Sequence, residues 1–236
     1  MPLPKEISPN PLLASTVELR ITTGLEPGRL FSKLYPFVAD EFPEMKPGQV
    51  SNEIKKADPE RFKYAADFVV RNENYSLSIS DNSIAFENVN EYSLWGNYFP
   101  FIKTQLSKLF ATNIIKEINR VGVRYVSVFP DSLNDILEYQ PKYSFADYEQ
   151  QDFSFIRTTL KIKDIKIHLQ IFKNAKVEKN DIVKNGCAFD IEAYSKMFKQ
   201  PDESIFSIIN TLHEEQKILF FKLLKPSFVS SLNPKY

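Results

Sequence analysis

The sequence predicts an α+β fold: two β-α-β-β-β-α repeats forming a curved antiparallel sheet with helices on one face. Three observations carry this. Strand-length segments alternate apolar and polar residues, longer segments place apolar residues at helical spacing, and the order of segments in residues 1–113 recurs in residues 114–236.

Residues 12–22, LLASTVELRIT, set Leu13, Val17, Leu19 and Ile21 against Thr16, Glu18, Arg20 and Thr22, the two-residue period of a half-buried strand. After GLEPG, the residues Leu30, Phe31, Leu34, Phe37 and Val38 recur at helical spacing, with Pro36 as the weak point. Residues 61–88 read as a meander of three runs, broken by polar residues 72–74 and by a turn at Asp81 and Asn82. A helical stripe follows through Trp95, Phe99, Ile102, Leu106, Leu109 and Phe110, with Pro100 marking its true start or a kink near its first turn.

The second half opens on a strand at 117–129, ended by Pro130, followed by a short helical segment at 131–138 and a connecting loop at 138–151. Runs at 152–163 and 165–173 form a hairpin around Lys163 and Asp164, and residues 186–194, GCAFDIEAY, give a third strand. A final helix at 203–224 carries Ile205, Phe206, Ile208, Ile209, Leu212, Leu219, Phe220 and Leu223, and Pro226 stops it. Residues 1–113 and 114–236 are thus expected to be two repeats within one compact body. Superposing their first strands sets VELRI over VGVRY, so that Arg20 corresponds to Arg124 and Glu18 to Gly122.

Bulk composition narrows the functions. With 43% hydrophobic and 14% aromatic residues, 236 residues supply ample core. Thirty basic residues balance thirty acidic ones, so no global field draws the chain to nucleic acid or to an anionic membrane, and any such binding needs a local patch. One cysteine, Cys187, rules out an intrachain disulfide framework, and two histidines leave little for a histidine metal cluster. The N-terminal MPLPKEISPNPLLAST lacks the apolar run of a signal peptide, and no stretch approaches about eighteen consecutive apolar residues. A cytoplasmic protein that does not engage a membrane is expected.

The chemistry concentrates on the polar side of the strands. In RVGVRY the two-residue period puts Arg120, Gly122 and Arg124 on one side, opposite Val121, Val123, Tyr125 and Phe129, which pack under the helices. Glu18 and Arg20 belong to the same polar side, joined by Asp190 and Glu192 from the late strand. Alternate side chains on a strand stand about 7 Å apart, and Gly122 removes the bulk between the two arginines. Their planar guanidiniums then lean toward one acceptor, a carboxylate or a phosphate. Two readings stay open: Glu18, Asp190 and Glu192 neutralise the arginines as cross-strand ion pairs, or the exposed sheet face holds an anionic small molecule.

Other candidates are weaker. His213, in TLHEEQ, has no second histidine one helical turn away, so it is no zinc motif and reads as a surface or boundary residue. Cys187 reads as a small core residue. Six glycines form neither a nucleophile elbow nor a phosphate-cradling loop, and no cofactor is expected. The aromatic run EYSLWGNYFPF opens an amphipathic helix and reads as core packing.

The approach and strand NPLLASTVELR, Tyr92 with Trp95 before a helix, the strand RVGVRY and the helix segment LHEEQ together resemble a sporadically distributed prokaryotic family of uncharacterised proteins. Its members pair an E-x-R first strand with an R-x-G-x-R-Y strand and a C-terminal leucine-histidine helix. Ser127 departs from that pattern, which has an asparagine there. The resemblance covers most of the chain and implies a horizontally transferred system of the phage-defence or toxin–antitoxin type. The repeated layout is also similar to the duplicated saddle of TATA-binding-like folds and to helix-grip sheets, a likeness of fold that confers no function.

The leading expectation is a non-catalytic binding protein acting with a partner protein and recognising an anionic ligand on the arginine-bearing face. One alternative is nucleic-acid binding by the saddle-like sheet. A second is an enzyme using Glu18, Asp190 or Glu192 as general acid or base.

Overall fold

The computed structural model describes residues 2–138, 144–145, 148–149, 154–179 and 182–236. The elements are β1 (Leu12–Thr22), α1 (Pro27–Leu34), β2 (Glu44–Pro47), α2 (Asn52–Ala57), β3 (Phe68–Arg71), β4 (Tyr75–Ile79), β5 (Ser83–Asn88) and α3 (Trp95–Ala111). They continue with β6 (Glu117–Phe129), α4 (Leu133–Ile136), β7 (Ser144–Phe145), β8 (Tyr148–Glu149), β9 (Phe155–Ile162), β10 (Ile165–Lys179), β11 (Ile182–Lys199), α5 (Ser204–Leu223) and α6 (Pro226–Ser231). The fold is α+β. Nine strands form one antiparallel sheet in the order β2-β3-β4-β5-β1-β6-β11-β10-β9, and β7 pairs with β8 separately. Two compact units are present, one of Met1–Ser15, Arg124–Ala193 and His213–Tyr236, the other of Thr16–Val123 and Tyr194–Leu212.

In the second of these units, alternation becomes continuous apolar rows. Val17 stands opposite Phe86, Phe86 opposite Leu77, and Leu77 opposite Val70. Leu19, Ile84, Ile79 and Phe68 form the next row in the same way. All but the outermost, Phe68, are fully buried, as are Leu30 and Leu34 of α1 and Tyr98, Ile102, Leu106 and Leu109 of α3. The Tyr98 hydroxyl donates to the Phe86 carbonyl at 2.6 Å, which fixes α3 on β5 while satisfying a buried polar group. Tyr75 stacks on Phe101 at 4.0 Å, and Trp95 Nε1 donates to Asn210 at 2.9 Å. Of the aromatic run, Tyr98 lies in the core, while Tyr92, Trp95, Phe99 and Phe101 are half-buried around it.

In the first unit, Ile167, Leu169 and Ile171 of β10 and Phe189 and Ile191 of β11 are buried. Phe129 meets Phe189 and Phe228 edge-on and stacks with Phe220. Leu13, Val128 and Ala188 form a smaller cluster that takes Phe172, Ala175 and Val177 of the extended β10.

Several expected elements change extent. Strand β3 begins only at Phe68, not near residue 61. Helix α3 starts at Trp95, where Leu94 turns the chain with a φ of 60°, so Pro100 lies past the first turn inside the helix. The helix expected over 131–138 is confined to Leu133–Ile136, and the strand expected over 186–194 runs from Ile182 to Lys199. Most of the expected loop at 138–151 lies outside the described residues; within it, Ser144 pairs with Glu149 and Phe145 with Tyr148. Strand β2 and helix α2 arise where the sequence shows no apolar period, since neither buries a residue. Helix α2 is instead held by polar contacts: the Ser51 hydroxyl accepts from the Ile54 N–H, and Lys55 Nζ donates to the carbonyls of Ala65 and Ala66 and to Asp67.

Candidate functional site

Strands β1 and β6 run antiparallel. The Lys116 N–H donates to the Thr22 carbonyl at 2.9 Å, and this register sets Arg120 opposite Glu18. Arg120 Nη1 donates to Glu18 Oε2 at 2.7 Å, and Arg20 Nε donates to the same oxygen at 3.2 Å. Each guanidinium also lies against a ring: Arg20 Cζ is 3.8 Å from the centre of Tyr64, and Arg120 Cζ is 4.1 Å from that of Tyr194. One carboxylate therefore serves two arginines in a cage of two tyrosines.

This cage corrects the expectation that the arginine-bearing face stands open. The Arg120 side chain is only 6% exposed and that of Arg20 30% exposed. Arg120 is covered by Tyr194 of β11, and Arg20 by Tyr64 in the turn between α2 and β3, which the Lys55 contacts and a bond from the Ser83 hydroxyl to the Tyr64 carbonyl hold in place.

In the other unit, Arg124 meets Asp190 as a two-pronged fork, Nε to Oδ1 at 2.8 Å and Nη2 to Oδ2 at 2.7 Å. Gln170 Nε2 adds a third donor to Asp190 at 3.2 Å. Here the arginine side chain is 51% exposed while the carboxylate is 11% exposed, so the fork holds a largely desolvated anion beneath a cation that still faces water. Glu192 is half-buried, two residues farther along β11. The predicted residues are thus gathered as Glu18 with Arg20 and Arg120, and as Arg124 with Asp190.

Tyr64, Tyr194 and Gln170 complete these groups without having been singled out from sequence. Tyr194 carried a signal, since it lies four residues after Asp190 on an alternating strand and so shares its face. Tyr64 carried none, because it sits in a turn where no period links it to Arg20.

Neither remaining candidate is poised for catalysis. Cys187 is buried, its Sγ lies 3.3 Å from the Asp131 carbonyl, and burial pushes its thiol up to about 11, away from the reactive thiolate. His213 is buried, not at the surface as its place in LHEEQ suggests, and its Nδ1 is 2.9 Å from the Tyr125 hydroxyl. Burial, helped by Lys217, pulls its imidazole down to about 3, so the ring is neutral and its 3.9 Å approach to Glu214 is not an ion pair at neutral pH. Among the described residues, no group of three or more His, Cys, Asp and Glu side chains is arranged to hold a metal ion. Nor is any helix among them long and apolar enough to cross a membrane.

No protein-family model matches the chain, and no curated protein matches it.

Proposed function

We propose that the chain is a non-catalytic binding protein that acts with a partner protein. The observation that carries this reading is the commitment of its best acid–base candidates to the fold itself. Glu18 is held by two arginines and Asp190 by a bidentate fork. A general acid or base must reach a substrate within hydrogen-bond distance, and these carboxylates are already engaged by the chain's own arginines. Cys187 and His213 are withdrawn by burial.

The strand order supports the duplicated layout. Outward from the central pair it reads β1, β5, β4, β3, β2 on one side and β6, β11, β10, β9 on the other, the same order in each half apart from the additional edge strand β2. The strands VELR and RVGVRY, which resemble those of the sporadically distributed prokaryotic family, support a place in a phage-defence or toxin–antitoxin type system. Of Arg20, Arg120 and Arg124, the half-exposed Arg124 is the one best able to meet an anionic group from outside.

The test is purification of the tagged chain from its native host. A stoichiometric complex with a second protein is the expected result. Recovery of the chain alone at working concentration overturns the proposal.

A further inference from the structure

Strand β9 ends the nine-stranded sheet, and every residue of it except Ile156 is exposed. The register fixes what this edge offers. The Lys173 N–H donates to the Ser154 carbonyl at 3.0 Å, continuing the ladder that pairs Phe155 with Phe172 and Ile162 with Ile165. Hydrogen-bonded pairs in an antiparallel ladder recur at every second position. Ile156, Thr158, Leu160 and Ile162 therefore turn their backbone groups toward β10. Phe155, Arg157, Thr159 and Lys161 turn theirs outward, presenting donors and acceptors to an incoming strand.

The side chains sort the same way. Leu160, Thr158 and Ile156 stand opposite the buried Ile167, Leu169 and Ile171, so the apolar row of the sheet runs out through Leu160 and Ile162, which are 38% and 41% exposed. On the opposite face lie Arg157 and Lys161. Lys161 directly opposes Lys166 in a pair of the non-hydrogen-bonded type, where side chains come closest, and like charges so placed repel one another. An anion brought alongside relieves that repulsion.

We infer that β9 receives an extended segment of a partner protein in which acidic and apolar residues alternate, added as a further strand of the sheet. This deepens the partner-protein reading and rests on it. The incoming carboxylates lie beside Arg157 and Lys161, the apolar side chains beside Leu160 and Ile162, and the backbone completes the four outward positions. A second copy of the chain does not fit, because pairing β9 with itself sets the same cations against one another. A nucleic acid would neutralise the cations but would leave the outward carbonyls and the apolar row unmet.

The probe is a short fluorescent peptide of alternating glutamate and valine, titrated against the full chain by anisotropy. Saturable binding is expected, with a matched lysine–valine peptide silent. R157E/K161E, two changes on exposed side chains, weakens the glutamate–valine peptide by about tenfold or more and makes the lysine–valine peptide the better ligand. Thr159→Pro removes an outward donor while sparing the ladder to β10, and weakens the peptide in the same way. Equal binding by the parent chain and R157E/K161E, or binding of a single-stranded RNA while the peptide stays silent, overturns the inference. Purifying the native complex with R157E/K161E separates the two claims: survival of the complex overturns the β9 site and leaves the partner reading standing, whereas its loss supports the site.

Discussion

Glu18 and Arg120 face one another across β1 and β6, joined at 2.7 Å, and Arg120 is the more buried of the two. A buried ion pair adds little net stability, because desolvation offsets most of the attraction, but removing one partner strands the other charge. Glu18→Gln keeps the shape and removes the negative charge that Arg20 and Arg120 share, so a loss of about 2–4 kcal/mol is expected in urea unfolding. The double variant Glu18→Leu with Arg120→Met should recover most of that loss. An unchanged midpoint in the single variant would show that the pair is not what neutralises Arg120.

A second prediction concerns the close approach of β11 to β6. Gly186 has a φ of 150°, and a Cβ built there would sit 1.9 Å from the Phe129 carbonyl oxygen. That neighbour is backbone, which cannot rotate away as a side chain would. Gly186→Ala should cost about 2–4 kcal/mol, combining backbone strain with displacement of the strand. Because Phe129 anchors the Phe189, Phe220 and Phe228 cluster, the near-ultraviolet aromatic signal should change with it. Wild-type stability together with a wild-type spectrum would rule out the tight approach.

These two sites show where the sequence was readable. The alternation in β1 and β6 was enough to put Val17, Leu19, Val121 and Val123 in the core and to group Glu18 with Arg20 and Arg120, because strand geometry is local and periodic. The cover over Arg20 was not readable. It depends on Lys55 reaching the carbonyls of Ala65 and Ala66, contacts with no period and no composition signal. The burial of His213 lies between these cases. The buried stripe of α5 passes through Ile205, Ile209, Leu212, His213, Gln216 and Phe220, so the helical period does include the histidine, but polarity argued for the surface.

The buried thiol gives a third test. Cys187 has its Sγ among the carbonyls of Phe129 and Asp131, and burial holds the thiol far above neutral pH. A thiol reagent at neutral pH should leave the folded chain unlabelled and react fully in denaturant, since only opening of the structure exposes a thiolate. Labelling of the native chain at the rate of a free cysteine would show that this strand pairing opens readily.

The neutral His213 makes stability depend on pH in a definite direction. A solvated imidazole titrates near 6.5, and in the folded chain the value falls to about 3. Between those values the unfolded chain binds a proton that the folded chain refuses, so protonation favours unfolding. The stability due to the neutral ring is fully present above about pH 6.5 and is lost progressively as pH falls toward about 3. One such group contributes about 1.4 kcal/mol per pH unit, or about 2 kcal/mol by pH 5. His213→Gln removes the titration while keeping a partner for the Tyr125 hydroxyl, which packs edge-on against the ring. Urea midpoints measured at about pH 7 and about pH 5 should therefore fall less in the variant than in the parent. Equal falls would mean that His213 accepts its proton without unfolding, and that burial beside Lys217 does not hold the ring neutral.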